Sequence, residues 1–149
     1  MYYIGIDLSL TATAIVVLSE KAVTLFQGTI STKANEKIED RFLKIEKYLF
    51  NIIKTNQPSR INIEGLSYSS KGQATLDSAG LHFLIRTTLR RNKIPFRITP
   101  PTTLKKFVSG KGNCKKNLML KEAYKKWGED FFDDNICDAY SLSRYEMTL

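Results

Sequence analysis

The sequence predicts an α/β fold in which a mixed five-stranded sheet carries helices on both of its faces. The first thirty residues contain three short segments dominated by β-branched and aromatic residues, separated by short polar breaks. Helix-like and strand-like segments then alternate along the rest of the chain. A length of 149 residues with 42% hydrophobic composition is typical of one compact domain, so we expect a single domain over residues 1–149.

Three strands are expected at the start of the chain. Their sequences are YYIGIDL from Tyr2, TATAIVVL from Thr11 and AVTLFQGTI from Ala22. Breaks this short favour antiparallel neighbours, because a parallel pair needs a long crossover between its strands. We therefore expect an antiparallel meander.

An amphipathic helix follows the meander, in the segment NEKIEDRFLKIEKYLFNIIKTNQP. Asn35 is its expected N-cap, and Pro58 lies just beyond its expected end. Its apolar residues recur at helical spacing and should pack on the sheet. They are Ile38, Phe42, Ile45, Leu49 and Ile52.

The second half of the chain alternates strands and helices. RINIEGL, from Arg60, is a short strand, and a polar loop joins it to a helix over about residues 74–91. IPFRIT, from Ile94, is the fifth strand, and two or three helices follow, with the glycine-bearing loop SGKGN among them. Strands joined through a helix are expected to be parallel. This order of elements is that of the ribonuclease H-like fold.

The basic residues are concentrated in one part of the chain. The net charge is +8, and residues 86–126 contain thirteen Lys or Arg but a single acid, Glu122. An ordinary solvated surface mixes charges of both signs. A stretch of one sign indicates a polyanionic partner, most often nucleic acid, although basic surfaces also occur on proteins that bind none.

Other classes of protein and site are disfavoured. No apolar run approaches the roughly 20 residues of a membrane helix, and the first residues are typical of a strand rather than a signal peptide, so we expect a cytoplasmic protein without membrane contact. Cys114, Cys137 and His82 are too few for a structural zinc site. The two thiols are expected to be reduced and structural, and His82 to lie at the surface or in an interface.

Acidic residues in strands suggest a functional site. Asp7 interrupts an apolar strand, and Glu64 ends another strand just before a glycine. Each either faces water at the end of its strand or needs a partner, because an unpaired charge in a core strand is unfavourable. Together with the acidic segment DDNICDAYSL, which begins at Asp133, they are expected to converge on one point.

The acidic segment has a spacing that favours a cation. On a helix, Asp134 and Asp138 share a face about 6 Å apart along the axis, where like charges repel. Hard divalent ions take oxygen ligands, and two ions about 4 Å apart suit phosphodiester hydrolysis. Asp133 is best explained as a negative charge that complements the helix dipole, and the same explanation stays open for Asp134. Asp138 lies too deep in the helix for that explanation.

Four segments together resemble the RuvC family of Holliday-junction resolvases. They are GIDLSLTATAIVV, INIEG, TPPTTLKKFVSGKGNCKK and DDNICDAYSL, in the family's order and spacing. The third is the most specific, because it combines a proline pair, basic residues, a Gly-x-Gly loop and a final lysine. The resemblance covers nearly the whole chain, whose short length is similar to bacteriophage members. It implies a ribonuclease H-like fold, a homodimer, and cutting of four-way DNA junctions that depends on Mg²⁺, with two ions and Mn²⁺ as a substitute.

The resemblance also implies the metal ligands. Asp7, Glu64 and Asp138 match the family's carboxylates. The fourth ligand departs from the pattern, because the family usually has an acid or histidine where this chain has Asn135. Asp134, one residue earlier, is the preferred fourth ligand, with Asn135 as the alternative that would leave a weaker, less charged site.

The same resemblance implies the DNA contacts. Lys105 and Lys116 match two lysines near the junction's phosphates, and Lys116 is also expected to be catalytic, as a positive charge on the phosphate or the transition state. Tyr68 matches an aromatic that wedges into the junction centre, although plain packing explains it equally well. Three more lysines, each of which is otherwise a solvated surface charge, would contact the DNA backbone: Lys106, Lys111 and Lys115.

The helix over residues 74–91 is the expected dimer contact. Leu76, Phe83 and Leu84 supply apolar surface, and Gly80 would let another helix approach closely. At least one face of the helix must instead pack on its own sheet. A two-fold dimer would present one active site to each of the two equivalent strands of a four-way junction.

Other functions compete with this one. A sugar-kinase or chaperone-type ATPase shares the Gly-Ile-Asp start but needs a second glycine-rich loop and a longer chain. A catalytically weak or inactive branched-DNA-binding protein remains the alternative because of Asn135. A nuclease for flaps or other branched DNA also remains open, since loops and dimer geometry, rather than catalytic carboxylates, recognise substrate shape.

Overall fold

Five strands form one mixed sheet in the computed structural model, which describes residues 1–67 and 71–149. The strands are β1 (Tyr2–Asp7), β2 (Ala12–Leu18), β3 (Thr24–Ser31), β4 (Ser59–Glu64) and β5 (Phe96–Thr99). Across the sheet their order is β3-β2-β1-β4-β5. β2 runs antiparallel to β1 and β3, whereas β4 runs parallel to β1 and β5. The expected meander followed by parallel strands is confirmed.

Helices cover both faces of the sheet, as the sequence predicts. They are α1 (Ile38–Thr55), α2 (Gln73–Arg91), α3 (Pro101–Ser109), α4 (Lys116–Trp127) and α5 (Asp134–Glu146). α1 and α2 pack on one face. α5 packs on the other face, and α3 and α4 pack against α5. In the described part of the chain, no helix has the length and apolar character needed to cross a membrane.

The main core lies between the sheet and the pair α1 and α2. Successive strand residues point to opposite faces, so every second residue of a strand faces these helices. Isoleucines dominate this face, and α1 and α2 meet them with leucine and isoleucine. The fully buried set includes Ile4, Ile6, Ile61, Ile63, Ile45, Leu49, Leu81 and Ile85.

α5 lies unusually close to β1, and Gly5 makes this possible. A Cβ atom at Gly5 would overlap the backbone carbonyl oxygen of Ala139 and lie 2.7 Å from the backbone nitrogen of Ser143. The Ser143 hydroxyl donates to that same carbonyl at 2.9 Å. No other residue type fits at Gly5 without moving the helix, so the glycine fixes how closely α5 approaches the sheet.

The start of α1 differs from the prediction. The helix begins at Ile38 with Lys37 as its N-cap, so the expectation of a cap at Asn35 was wrong. The Glu36 carboxylate accepts a hydrogen bond from the Lys33 backbone nitrogen at 2.8 Å and pairs with Lys44. These contacts close a turn ahead of the helix and displace its first residue along the chain.

The expectation for Gly80 was also wrong. A Cβ atom there would lie 3.1 Å from the Phe42 ring, so the space beside Gly80 accommodates α1 of the same chain. Leu84 is half-buried, whereas Leu76 and Phe83 on α2 are 66% and 55% exposed. α2 therefore does carry exposed apolar side chains, but its glycine is not part of that surface.

Candidate active site

Three carboxylates meet at one edge of the sheet. One oxygen from each of Asp7, Glu64 and Asp138 can be chosen so that all three lie within 4.8 Å of one another. Asp7 ends β1 and Glu64 ends β4, its parallel neighbour. Ile6 pairs with Ile63, so the next step of the register places the two carboxylates side by side on the α5 face. Asp138 reaches the same point from the first turns of α5.

The cluster holds its negative charge at an energetic cost. Burial, then the charges of Glu64 and Asp138, raises the pKa of Asp7 well above its usual value. Burial followed by the charge of Asp138 raises the pKa of Glu64 to about 7. Burial followed by the charge of Asp134 raises the pKa of Asp138 to about 6. A cation at this point would remove the repulsion, and three hard oxygen donors suit Mg²⁺ or Mn²⁺.

Asp134 lies beside the three carboxylates and pairs with Lys116. Its Oδ2 accepts a hydrogen bond from the Lys116 Nζ at 2.7 Å. This bond is the first cause of the raised pKa of Lys116, although that side chain is 82% exposed. Asp134 is close enough to act on the cluster electrostatically, but it is not one of the three residues whose oxygens converge.

The residues flanking Asp134 belong to the helix start. The Asp133 side chain accepts from the Asn135 backbone nitrogen at 2.8 Å and so caps α5. The helix-terminal explanation of Asp133 is confirmed. Asn135 is half-buried next to it, and its identification as an alternative ligand stays a prediction.

A cavity of about 430 Å³, which we call the lysine cavity, adjoins the cluster on one side. Glu64, Asp134 and Asp138 contribute to its wall. The positive charge of Lys105 partly offsets the rise in the pKa of Glu64 that burial causes. The cavity is also lined by the buried thiols of the free cysteines Cys114 and Cys137, and by three of the predicted lysines: Lys105, Lys115 and Lys116.

The remaining predicted DNA contacts lie further out or outside the described residues. Lys106 is exposed on α3, and Lys111 is exposed in the loop that follows. Gly110 ends α3 with φ 78°, a left-handed conformation that turns the chain into this loop. Tyr68 falls outside the residues that the structure describes.

A second cavity, of about 240 Å³, lies on the other side of the cluster, and we call it the α2 cavity. Asp7 and Glu64 line it together with Thr75, Ser78 and His82 of α2. His82 is only 4% exposed, so the expectation of a surface or interface residue was wrong. Burial, followed by the charge of Arg86, lowers the pKa of His82 to about 4, so the imidazole is neutral at pH 7.

The sequence carries a signal for this second cavity that the predicted site residues do not include. Thr75, Ser78 and His82 follow the spacing i, i+3, i+7, and Ile85 and Leu89 continue the same stripe into the core. A stripe that faces the sheet is normally apolar along its whole length. The polar half of this stripe lies where α2 passes the carboxylates.

Comparison with known proteins gives one consistent result. The family model "Crossover junction endodeoxyribonuclease RuvC" matches residues 3–125. A protein of that name from Prochlorococcus marinus (strain NATL1A) is 30% identical over 123 residues, which cover 80% of this chain and 79% of the relative. Another, from Brachyspira hyodysenteriae, is 28% identical over 116 residues, covering 78% and 72%.

Solved structures show the same fold. Thermus thermophilus RuvC in complex with a Holliday junction substrate matches with a TM-score of 0.83 at 17% identity, covering 96% of this chain and 90% of that one. The fowlpox virus resolvase, solved with substrate Holliday junction DNA, matches with a TM-score of 0.62 at 14% identity, covering 99% and 97%. These matches extend beyond residue 125 and so include α5.

Proposed function

Because the chain belongs to the RuvC family of crossover junction endodeoxyribonucleases, we propose that it is a metal-dependent endonuclease that resolves Holliday junctions. The observation that carries the proposal is the convergence of Asp7, Glu64 and Asp138 beside a cavity lined by lysines. Carboxylates alone would repel a phosphodiester, and lysines alone would bind it without cutting it. Their juxtaposition supports hydrolysis of DNA, and the cytoplasm is the proposed location.

The three carboxylates would hold the metal. Asp7, Glu64 and Asp138 offer hard oxygens to Mg²⁺, with Mn²⁺ as a substitute, and Asp134 would add a fourth ligand once it is free of Lys116. Bound divalent cations, two in the proposed site, would supply Lewis-acid stabilisation of the charge that develops on the scissile phosphate. The protein's part is to hold the carboxylates fixed and close together.

The lysines would hold the DNA strand. Lys105 and Lys116 reach the cavity wall beside Glu64 and Asp138, so a phosphate drawn to them lies next to the carboxylates. Lys116 is well exposed and would stabilise negative charge on the transition state. Lys115 would bind the adjacent backbone, while Lys106 and Lys111 would contact phosphates further along. Tyr68 is proposed to wedge into the junction centre.

Two copies are proposed to act on one junction. The exposed Leu76 and Phe83 of α2 offer an apolar surface for a homodimer. A symmetric dimer would place two active sites against the two equivalent strands of a four-way junction. Dimer geometry would then select four-way junctions over linear duplex, whereas the carboxylates would cut any strand placed against them.

The test compares cleavage of four-way, three-way, flap and linear duplex DNA. We expect cutting of the four-way junction with Mg²⁺ or Mn²⁺, none in EDTA, and little on linear duplex. Binding should weaken steeply with salt, because phosphate contacts release counterions. Asp7→Asn should bind the junction without cutting it, while Asp40→Asn, at an exposed position on α1, should behave as wild type.

Two results would redirect the proposal. In the first, the wild-type protein binds junctions but cuts nothing with either metal. It would then be a catalytically inactive branched-DNA-binding protein, the alternative suggested by Asn135. Equal cutting of flaps and three-way junctions would make it a nuclease for branched DNA in general. Binding that does not respond to salt would contradict the role of the lysines.

A further inference from the structure

The carboxylate cluster lies between two cavities with different chemistry. The lysine cavity, on the α3–α4 side, carries three cationic side chains. The α2 cavity, on the opposite side, is lined by the carboxylates of Asp7 and Glu64, hydroxyl groups, a neutral imidazole and apolar side chains, with no Lys or Arg among its described lining residues. Glu64 contributes to the walls of both. A phosphate is therefore attracted from one side only.

The Thr75 hydroxyl is evidence that the α2 cavity holds a small polar molecule. Its Oγ1 is buried and has no hydrogen-bond partner within residues 1–67 and 71–149. Buried polar groups are almost always hydrogen-bonded, and ordered water commonly supplies the partner where side chains do not. A water molecule takes up about 30 Å³ in the liquid, so this cavity has room for several.

Other polar groups around the cavity can supply the further hydrogen bonds that an ordered water molecule needs. A buried water usually makes two to four hydrogen bonds. Ser78 and His82 lie on the same stripe of α2 as Thr75, and the carboxylates of Asp7 and Glu64 form the opposite wall. Along this stretch, polar side chains take the place of the apolar stripe of α2. Water held here would lie against the two carboxylates that end β1 and β4.

The position of this water relative to the DNA fits hydrolysis. In phosphodiester hydrolysis the attacking oxygen and the departing oxygen lie on opposite sides of phosphorus. A strand held by the lysines presents its phosphate to the cluster from one side, which leaves the α2 cavity as the side from which water can attack.

We infer that the α2 cavity holds the hydrolytic water and that Thr75 is a positioning residue for it. This inference rests on the proposed nuclease function. The water oxygen forms a bond to phosphorus while one P–O ester bond breaks. The departing oxygen takes up a proton from the surrounding water and leaves as a hydroxyl group. The attacking water loses a proton to the other waters of the cavity, so atoms and charge balance.

The kinetic test separates positioning from binding. Thr75→Val keeps the shape of the side chain but removes its hydroxyl, Thr75→Ser restores the hydroxyl, and Thr29→Val is a matched change at an exposed position of β3. We expect Thr75→Val to lower the single-turnover cleavage rate at saturating junction about tenfold, the typical effect of losing one hydrogen bond made in the transition state. Its Kd for the junction should stay within about twofold of wild type, and Thr75→Ser should recover most of the rate.

A crystal structure without DNA provides a readout independent of cleavage. Wild type should show ordered water within hydrogen-bond distance of Thr75 Oγ1, and Thr75→Val should lose it. An unchanged rate in Thr75→Val, a parallel loss of junction affinity, failure of Thr75→Ser to recover the rate, or a dry cavity would each overturn the inference. If wild type itself cuts no branched DNA, the proposed function fails instead, while the crystal structure still tests whether the cavity holds water.

Discussion

The two faces of the sheet use the same strands for opposite purposes. On the face covered by α1 and α2, Ile4, Ile6, Ile61 and Ile63 point into a closed apolar core. The intervening residues of β1 and β4 point to the α5 face, and they include Gly5, Asp7 and Glu64. One face is therefore a closed apolar core, whereas the other combines two further apolar clusters with charged groups whose burial costs stability. The core makes it possible to hold the carboxylates together despite their mutual repulsion.

The largest expected effect is confined to the α5 face. Asp7→Asn should lower the cleavage rate by about a thousandfold or more, because it removes a carboxylate from the cluster. In EDTA its thermal midpoint should equal or exceed that of wild type, since burial raises the pKa of Asp7 and an uncharged amide avoids the repulsion. Calorimetry beside a cleavage assay checks both. A strongly destabilised variant would mean that Asp7 stabilises the fold.

Gly5→Ala should damage both properties at once. The added Cβ would overlap backbone atoms of α5, so the helix must move away from β1. We expect a loss of about 3 kcal/mol in the free energy of unfolding and cleavage reduced even in the folded fraction, because Asp138 moves with the helix.

Gly28→Ala is the control for that change. A Cβ atom at Gly28 would meet mainly the outer ends of the Tyr48 and Phe26 side chains, which can move, so this variant should keep its activity. Urea titrations and single-turnover assays measure the pair. Full cleavage by Gly5→Ala would show that close approach of α5 is not needed.

The pH dependence of stability should identify the charged face. The raised pKa values of Glu64 and Asp138, about 7 and 6, mean that the folded protein binds more protons than the unfolded chain up to about pH 7. The stabilisation that these two groups provide is fully present below their pKa values in the unfolded chain. It is lost as the pH rises through their pKa values in the folded protein. His82, with its lowered pKa of about 4, acts in the opposite direction between about pH 4 and 6.5.

Together these pKa shifts predict that, in EDTA, the free energy of unfolding falls by on the order of 1 kcal/mol between pH 6 and 8. The effect of the two carboxylates is larger than the opposite effect of His82 in this range. Saturating Mg²⁺ should reduce or reverse this loss. Urea unfolding at the two pH values measures it, with Glu64→Gln as the variant that should show a smaller dependence. A stability in EDTA that is the same at pH 6 and pH 8 would contradict the electrostatic account of the cluster.

The smallest expected effect belongs to the core face. Ile6→Val removes one buried methylene beside Asp7 in sequence but on the other side of the sheet, and it should cost about 0.5–1.5 kcal/mol. Cleavage by the folded variant should match wild type within about twofold, because the residue does not face the site. Denaturant unfolding and initial rates provide the comparison. A large catalytic loss would show that the two faces are more tightly coupled than their packing indicates.

Sequence patterns predicted the parts of this molecule that depend on local spacing. Alternation within strands and the periodicity of α1 led to the five strands and the core, and the resemblance to the RuvC family is confirmed. Asp7 and Glu64 were identifiable because charge interrupts apolar strands at those positions, and Asp138 because it lies too deep in its helix for the helix dipole to explain it. The structure brings them together from β1, β4 and α5.

Features that depend on tertiary contacts were not predictable in the same way. The polar residues in the first half of its buried stripe disguise which side of α2 faces the sheet, so His82 and Gly80 were both misplaced. Asn35 lies inside the turn that the hydrogen bonds between Lys33 and Glu36 close, so α1 starts later than the cap pattern indicates. The pairing of Asp134 with Lys116 joins α5 to α4, and only the folded chain shows it.

The place of α5 in the chain has a consequence for synthesis on the ribosome. All five strands and the lysines of the lysine cavity precede Asp134, the first residue of α5. Asp138 is therefore the last member of the trio to be added during translation, after both strand carboxylates and all three lysines. The trio of carboxylates becomes complete only when α5 docks on Gly5, so a chain that stops before Asp138 cannot assemble it.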